Sequence, residues 1–449
     1  MAKIFVGPFL HSTESGELVT ENHAAIYVKD GKIDAIVTDQ SSIVSDDTEV
    51  IRLSEGQFLV PGFIDCHIHA VQFPNMGIGY DKKLLEWLET YTFPLEKQFK
   101  TQSVARHVFD TTVRQTLTQG TTTACYFASL YAEASAILGE TAANLGQRAF
   151  VGKITMNAKR SDEYYETTEE SIENMNKFIS PLIKPVITPR FALSCDMRVM
   201  KELGKLAEQK NLHIQSHICE NVEEIEAVKN KFPECSSYAA VYDAAGLLTN
   251  KTVMAHGIHL TDDEITLLKD RGTAVIHCPS SNTCLKSGLC DVQKLKAKGV
   301  KIGLGTDVAG GQSSSILDAM KSALQVSSHL SILKDDYEAL NYKDVFHMAT
   351  LGGAKGKLFN FTEGFPIICI CLLNFILHHN AQTFLALAVD DKIGTFKCGK
   401  EFDALVVDTN ANFPKNLEPN SLEEKLQKFI YSGDDRNIIA VYVSGRKVK

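Results

Sequence analysis

An α/β fold is predicted: a closed (β/α)₈ barrel of TIM type with a small β-sandwich domain formed from both chain termini. Three observations predict it. Eight short apolar runs in the middle of the chain alternate with longer amphipathic stretches, as in repeated βα units. Both ends of the chain read as short strands punctuated by turns. The length, 449 residues, suits a large barrel plus a minor domain.

The first strands fall at Ile4-Phe5-Val6, Ala25-Ile26-Tyr27-Val28 and residues 33–37, the last two separated by the turn Asp30-Gly31-Lys32. Residues 403–408 and 439–445 have the same texture, so residues 1–57 and 387–449 are assigned to the small domain. The barrel takes residues 58–355. Its eight runs are 58–65, 121–127, 148–153, 185–190, 212–217, 252–256, 273–277 and 301–307, separated by helical stretches such as 103–119 and 263–271.

Hydrophobic residues make up 44% and charged residues 22%, the balance of a globular chain with a sizeable core. A formal net charge of −9 offers no basic face for a nucleic-acid backbone. Eleven cysteines without a C-x-x-C pair read as reduced thiols and a cytoplasmic setting. The N-terminus shows no apolar leader or Arg/Ser-rich targeting run.

In a (β/α)₈ barrel the site lies at the C-terminal ends of the strands, so polar residues there carry the chemistry. Run one ends in Asp65-Cys66-His67-Ile68-His69. Strand alternation sends His67 and His69 to one side, into the barrel mouth. His217, His256 and Asp307 end runs five, six and eight. Alone, His256 would read as a core histidine and Asp307 as a helix cap. Together, five strand-end donors describe a site for one divalent metal. His213 lies four residues before His217, ~13 Å down the same strand, and reads as buried barrel packing. His277 ends run seven and reads equally as a support or substrate contact, or as packing. Glu220 follows His217 by three residues, where a proton shuttle is needed; without a metal it would be an ordinary solvated first-turn glutamate.

The chain resembles the amidohydrolase superfamily, and within it the guanine-specific aminohydrolase branch. The stretches that carry the resemblance are Val60-Pro-Gly-Phe-Ile-Asp-Cys-His-Ile-His69, Leu84-Leu-Glu-Trp-Leu-Glu-Thr-Tyr-Thr-Phe-Pro94 and Gly120-Thr-Thr-Thr-Ala-Cys-Tyr-Phe127. Thr188-Pro-Arg-Phe191, His213-Ile-Gln-Ser-His-Ile-Cys-Glu-Asn221, Met254-Ala-His-Gly257, His277-Cys-Pro279, Gly303-Leu-Gly-Thr-Asp-Val-Ala-Gly-Gly311 and Gly433-Asp-Asp-Arg-Asn437 extend it along nearly the whole chain. The resemblance implies one zinc ion per subunit, held by His67, His69, His217, His256 and Asp307, and a homodimer without membrane or nucleic-acid partners. It also implies guanine held by Gln72, Arg190, Phe191 and Glu220, and its hydrolysis to xanthine and ammonia. Asp307 would take the water proton and Glu220 would protonate the ring nitrogen beside the amino-bearing carbon. Run four ends in Arg190 with no rim lysine, so a carbamylated lysine bridging two metals is not expected. A different heterocycle in a related deaminase or chlorohydrolase is the alternative, with a metal-free scaffold as the non-enzymatic one.

Residues 356–385 depart from the pattern. Removing them joins Lys355 to Ala386 and leaves a clean helix followed by Asp390-Asp-Lys-Ile-Gly-Thr-Phe396. Within them residues 365–377 are almost wholly apolar, yet a run of ~13 residues is too short to cross a bilayer. A retained intron or gene-model error, a genuine insertion, and a membrane-associating hairpin are the readings of this segment.

Overall fold

A computed structural model describes residues 2–38, 48–179, 184–354, 387, 389–411 and 420–449. The segment 356–385, and with it the expected end of the barrel, lies outside the described residues.

The chain opens with β1 (Lys3–Ser12), β2 (Leu18–Lys29), β3 (Lys32–Val37), β4 (Glu49–Arg52) and β5 (Gln57–Pro61). The barrel follows as β6 (Phe63–His69), β7 (Thr121–Phe127), β8 (Arg148–Gly152), the two-residue β9 (Ile154–Thr155), β10 (Lys184–Pro189), β11 (His213–Ile218), β12 (Thr252–His256), β13 (Ala274–His277) and β14 (Lys301–Leu304). β15 (Ala404–Asp408), β16 (Ile438–Val443) and β17 (Arg446–Lys447) return to the first sheet.

The barrel strands are all parallel, in the order β14-β13-β12-β11-β10-β8-β7-β6. The circle is drawn shut after β14, where Asp307 N–H donates to the His67 carbonyl at 2.9 Å and His69 N–H to the Val308 carbonyl at 3.1 Å. Small and β-branched residues fill the interior, among them Ile64, Cys66, Cys125, Val186, Ala255 and Ile276. A much larger apolar layer lies between the strands and the surrounding helices. Central strands buried on both faces explain why the sequence showed apolar runs rather than alternation.

The terminal strands pair into one eight-stranded sheet, in the order β17-β16-β15-β5-β1-β2-β3. The sheet branches at β1: residues 3–6 pair with β4, and Phe9 pairs with β5 beyond an irregularity between Gly7 and Phe9. Where a sandwich was expected, the terminal strands form a single branched sheet around Phe5, Phe9, Ile26, Phe396, Phe402 and Tyr442.

The first barrel run needs correction. Residues 57–61 pair with β15 and belong to the terminal sheet, whereas the barrel strand starts at Phe63. Gly62 makes the handover. A Cβ there would sit 2.2 Å from Thr122 Oγ1, and its N–H donates to the Asp403 carbonyl at 3.0 Å. One continuous apolar run thus serves two sheets, which hydrophobicity alone does not divide.

Candidate active site

Barrel closure builds the centre of the site. The two backbone hydrogen bonds between residues 67–69 and 307–308 bring Asp307 against the His67-x-His69 strand end. Asp307 Oδ1 lies 3.1 Å from His67 Nε2 and 3.4 Å from His69 Nε2, and Oδ2 lies 3.8 Å from His256 Nε2. Asp65 braces the same junction: its carboxylate accepts from Thr306 Oγ1 at 2.6 Å, from Thr306 N–H at 3.1 Å and from His67 N–H at 3.2 Å. Burial pushes the Asp65 carboxyl up to about 7 against those hydrogen bonds.

His67, His217, His256 and Asp307 each offer a donor atom, all within 4.8 Å of one another. His69 completes the group, its Nε2 3.1 Å from His217 Nε2. The orientation of two rings is set from behind. His217 Nδ1–H donates to the Arg190 carbonyl, and His256 Nδ1–H donates to Asn282 Oδ1 at 2.9 Å. Each Nε2 then presents a lone pair to the centre. His256 Nε2 is buried and has no hydrogen-bond partner. Burial holds His67 below the usual imidazole range and His69 and His217 well below it. Burial opposes ionisation of Asp307, but its hydrogen bond to His67 and its electrostatic interaction with His67, His256 and His69 outweigh that and hold its carboxyl far below the ordinary value. Neutral imidazole lone pairs and one carboxylate converging on a buried point fit a single divalent cation.

The backbone is bent to make this aim. Cys219, His256 and Asp307 adopt φ of 48°, 75° and 49°, a region non-glycine residues seldom occupy. Gly310 gives the turn room, since a Cβ there would meet Ser281 Oγ at 2.5 Å and Asp307 Oδ2 at 3.0 Å. Phe127, at the end of β7, packs its ring 4.9, 4.5 and 4.7 Å from those of His67, His69 and His217.

Glu220 stands just before a helix rather than in its first turn. Asn221 caps the helix Val222–Lys231, and Glu224 accepts from the N–H groups of Glu220 and Asn221 at 3.1 and 3.2 Å. This capping box fixes the loop, and Glu220 is 4% exposed. Its Oε2 lies 3.3 Å from His256 Nε2, and Ser287 Oγ donates to Oε1 at 3.3 Å. Burial, with Glu224 and Asp307 nearby, pushes its carboxyl well above the ordinary range.

A cavity opens over this centre, lined by His69, Gln72, Arg190, Phe191, His217, Glu220, His256 and Asp307, with Leu84, Trp87, Leu88 and Leu285 as apolar wall. The helical segment spanning residues 84–100 changes from α to a wide π turn at Leu88–Thr92 and back to α at Phe93–Glu96. That places Glu96 under the cavity floor, where it accepts from Arg190 Nη1 at 2.6 Å and Gln72 Nε2 at 3.0 Å.

A family model for the amidohydrolase family matches residues 58–363. The chain belongs to the amidohydrolase family. Guanine deaminase of Mus musculus is 42% identical to this amidohydrolase, over 100% of the chain and 97% of the relative. Guanine deaminase of Dictyostelium discoideum is 37% identical, over 100% and 98%. Among solved structures, guanine deaminase from C. acetobutylicum with bound guanine in the active site superposes with a TM-score of 0.87 at 32% identity, covering 100% of both chains.

In this amidohydrolase the cavity unites His69, His217, His256 and Asp307 with Gln72, Arg190, Phe191 and Glu220, while His67 packs against Asp307 beneath it. His213 stays out, its Nε2 3.1 Å from the Leu387 carbonyl at the far end of β11. His277 is fully buried, does not line the cavity, and has neither ring nitrogen hydrogen-bonded. Sequence reasoning missed Glu96, Asn282 and Phe127. Phe127 could have been found as the rim residue of run two; Glu96 shares a buried helical face with Leu88, Thr92 and Phe93, where a carboxylate is out of place.

Proposed function

We propose that this amidohydrolase hydrolyses guanine to xanthine and ammonia, using one zinc ion per chain held by His67, His69, His217, His256 and Asp307. One observation carries the reading: a single cavity joins the histidine–aspartate centre to Arg190, Gln72 and Phe191, in a chain 42% identical along its full length to a mammalian guanine deaminase.

A divalent cation held by His67, His69, His217, His256 and Asp307 would supply Lewis acidity, making water acidic enough to attack near neutral pH. Asp307, ionised and with its Oδ1 3.1 Å from His67 Nε2, orients the attacking water and accepts its proton. Glu220 faces His256 from the cavity side and delivers a proton to the ring nitrogen beside the amino-bearing carbon. The C–O bond forms as the ring nitrogen takes the Glu220 proton; the proton held by Asp307 then passes to the amino group, the C–N bond breaks to release ammonia, and the remaining hydroxyl proton returns to Glu220 as the new carbonyl forms. Arg190 donates to the purine carbonyl oxygen, an interaction an adenine amine does not satisfy, and Phe191 supplies a stacking face. Gln72, its amide oxygen accepting from Ala309 N–H at 3.3 Å, reads the ring edge.

No helix among the described residues is long and apolar enough to cross a membrane. The nine described cysteines are free thiols, which supports a cytoplasmic setting, and the reading extends to a homodimer. The test is turnover of the purified protein on guanine, adenine, cytosine and ammeline, with ammonia measured directly. Guanine is expected to be strongly preferred. Preference for another heterocycle overturns the substrate, and no ammonia from metal-replete protein overturns the enzyme.

A further inference from the structure

We infer that Glu96 is the residue that sets purine discrimination, acting through Arg190 and Gln72; the inference rests on the guanine reading of the cavity. Glu96 is wholly buried, and each of its oxygens has a separate task. Oε2 accepts from Arg190 Nη1 at 2.6 Å and from Tyr164 Oη at 3.0 Å. Oε1 accepts from Gln72 Nε2 at 3.0 Å.

Two consequences follow from hydrogen-bond polarity. Gln72 has a symmetric-looking amide that could present either end to the cavity. An acceptor-only carboxylate on one side and the Ala309 N–H on the other allow a single orientation, with Nε2 toward Glu96 and Oε1 toward Ala309. Arg190 is 2% exposed, and its guanidinium sits 4.9 Å over the Phe93 ring. Pairing Nη1 with Glu96 balances its charge and turns its remaining donors to the cavity. Arg190 also ties the purine end to the metal end, because its carbonyl accepts from His217 Nδ1–H. One carboxylate on the segment 84–100 thus fixes the polarity of both groups proposed to read the base.

Glu96→Gln keeps the shape but cannot serve all three donors. If its oxygen faces Arg190 and Tyr164, its own NH₂ faces the Gln72 NH₂, and Gln72 must flip into conflict with Ala309 N–H. The experiment compares guanine with 2-aminopurine, which keeps the amino-bearing carbon but lacks the carbonyl oxygen. Glu96→Gln is expected to raise the guanine KM about tenfold or more while kcat stays within about threefold; the kcat/KM for 2-aminopurine, which keeps the ring edge assigned to Gln72 but lacks the carbonyl assigned to Arg190, should fall by clearly less. Xanthine affinity, read by quenching of Trp87, the chain's sole tryptophan and part of the cavity wall, should weaken in parallel. Tyr164→Phe removes one of the donors that hold Glu96 Oε2 in place beside Arg190, and is expected to shift the same ratio in the same direction by less. It serves if Glu96→Gln does not fold.

Equal losses on both purines, or an unchanged ratio, overturn the role of Glu96. Failure of the parent enzyme to deaminate guanine overturns the guanine reading instead, and is seen before any variant is made.

Discussion

Replacing Glu220 by Gln isolates proton transfer from every other property of the site. The amide has the same shape, and its oxygen still accepts from Ser287 Oγ. What disappears is a titrating carboxyl beside His256 Nε2. General acid–base catalysis contributes about 10²–10⁴-fold, which corresponds to roughly 3–5 kcal/mol in the height of the reaction barrier. Stability should move the other way: Glu220 is buried near Glu224 and Asp307, both of which raise its carboxyl pKa. A neutral amide needs no proton uptake to be buried, so that cost disappears and Tm should hold or rise. The assay is ammonia release from guanine, paired with metal content and thermal melting on the same preparation. The expected result is full metal occupancy, unchanged or higher Tm, and kcat lowered at least ~100-fold. Near-normal turnover would refute Glu220 as the proton carrier. Loss of metal would place it instead among the groups that hold the ion.

Asn282→Ala removes the acceptor behind His256 Nδ1, and metal affinity measured by chelator competition should fall about 10–100-fold with little change in Tm. His11 is buried and neutral, its Nδ1 accepting from Phe396 N–H at 2.9 Å; burial, with Lys397 and Lys400, pushes its pKa down to about 4. Its unfolded-state pKa is higher, so its contribution is complete above about pH 6.5 and is lost as pH falls toward 4. His11→Asn keeps an acceptor but cannot titrate, and should reduce the loss of unfolding free energy between pH 7 and 4.5 by on the order of 2–3 kcal/mol in urea melts. Deleting residues 356–385 should leave guanine turnover at or above that of the parent, because every proposed ligand and substrate contact lies between His67 and Asp307. An inactive deletion protein would show that the segment is needed.

The barrel and its histidine–aspartate centre were legible because both are written in local order. Strand alternation puts His67 and His69 on one side, and barrel topology sends the ends of β11, β12 and the chain after β14 to the same rim. Glu220 was legible as a candidate only, since its placement depends on the Asn221–Glu224 capping box and the turn at Cys219. Glu96 was not read because its partners lie 24 and 94 residues away in sequence, at Gln72 and Arg190. Asn282 meets His256 across 26 residues through the helix after β13. The division at Gly62 was hidden because the residues on either side of it, Phe58 to Pro61 and Phe63 to Ile64, read as one apolar run.

The most direct test of the account is metal stoichiometry measured together with activity on the same purified chain. It predicts one divalent ion per chain, guanine turnover lost when that ion is chelated, and turnover restored by one equivalent of zinc. Undiminished turnover in metal-free protein, or activity that requires two ions per chain, would contradict it.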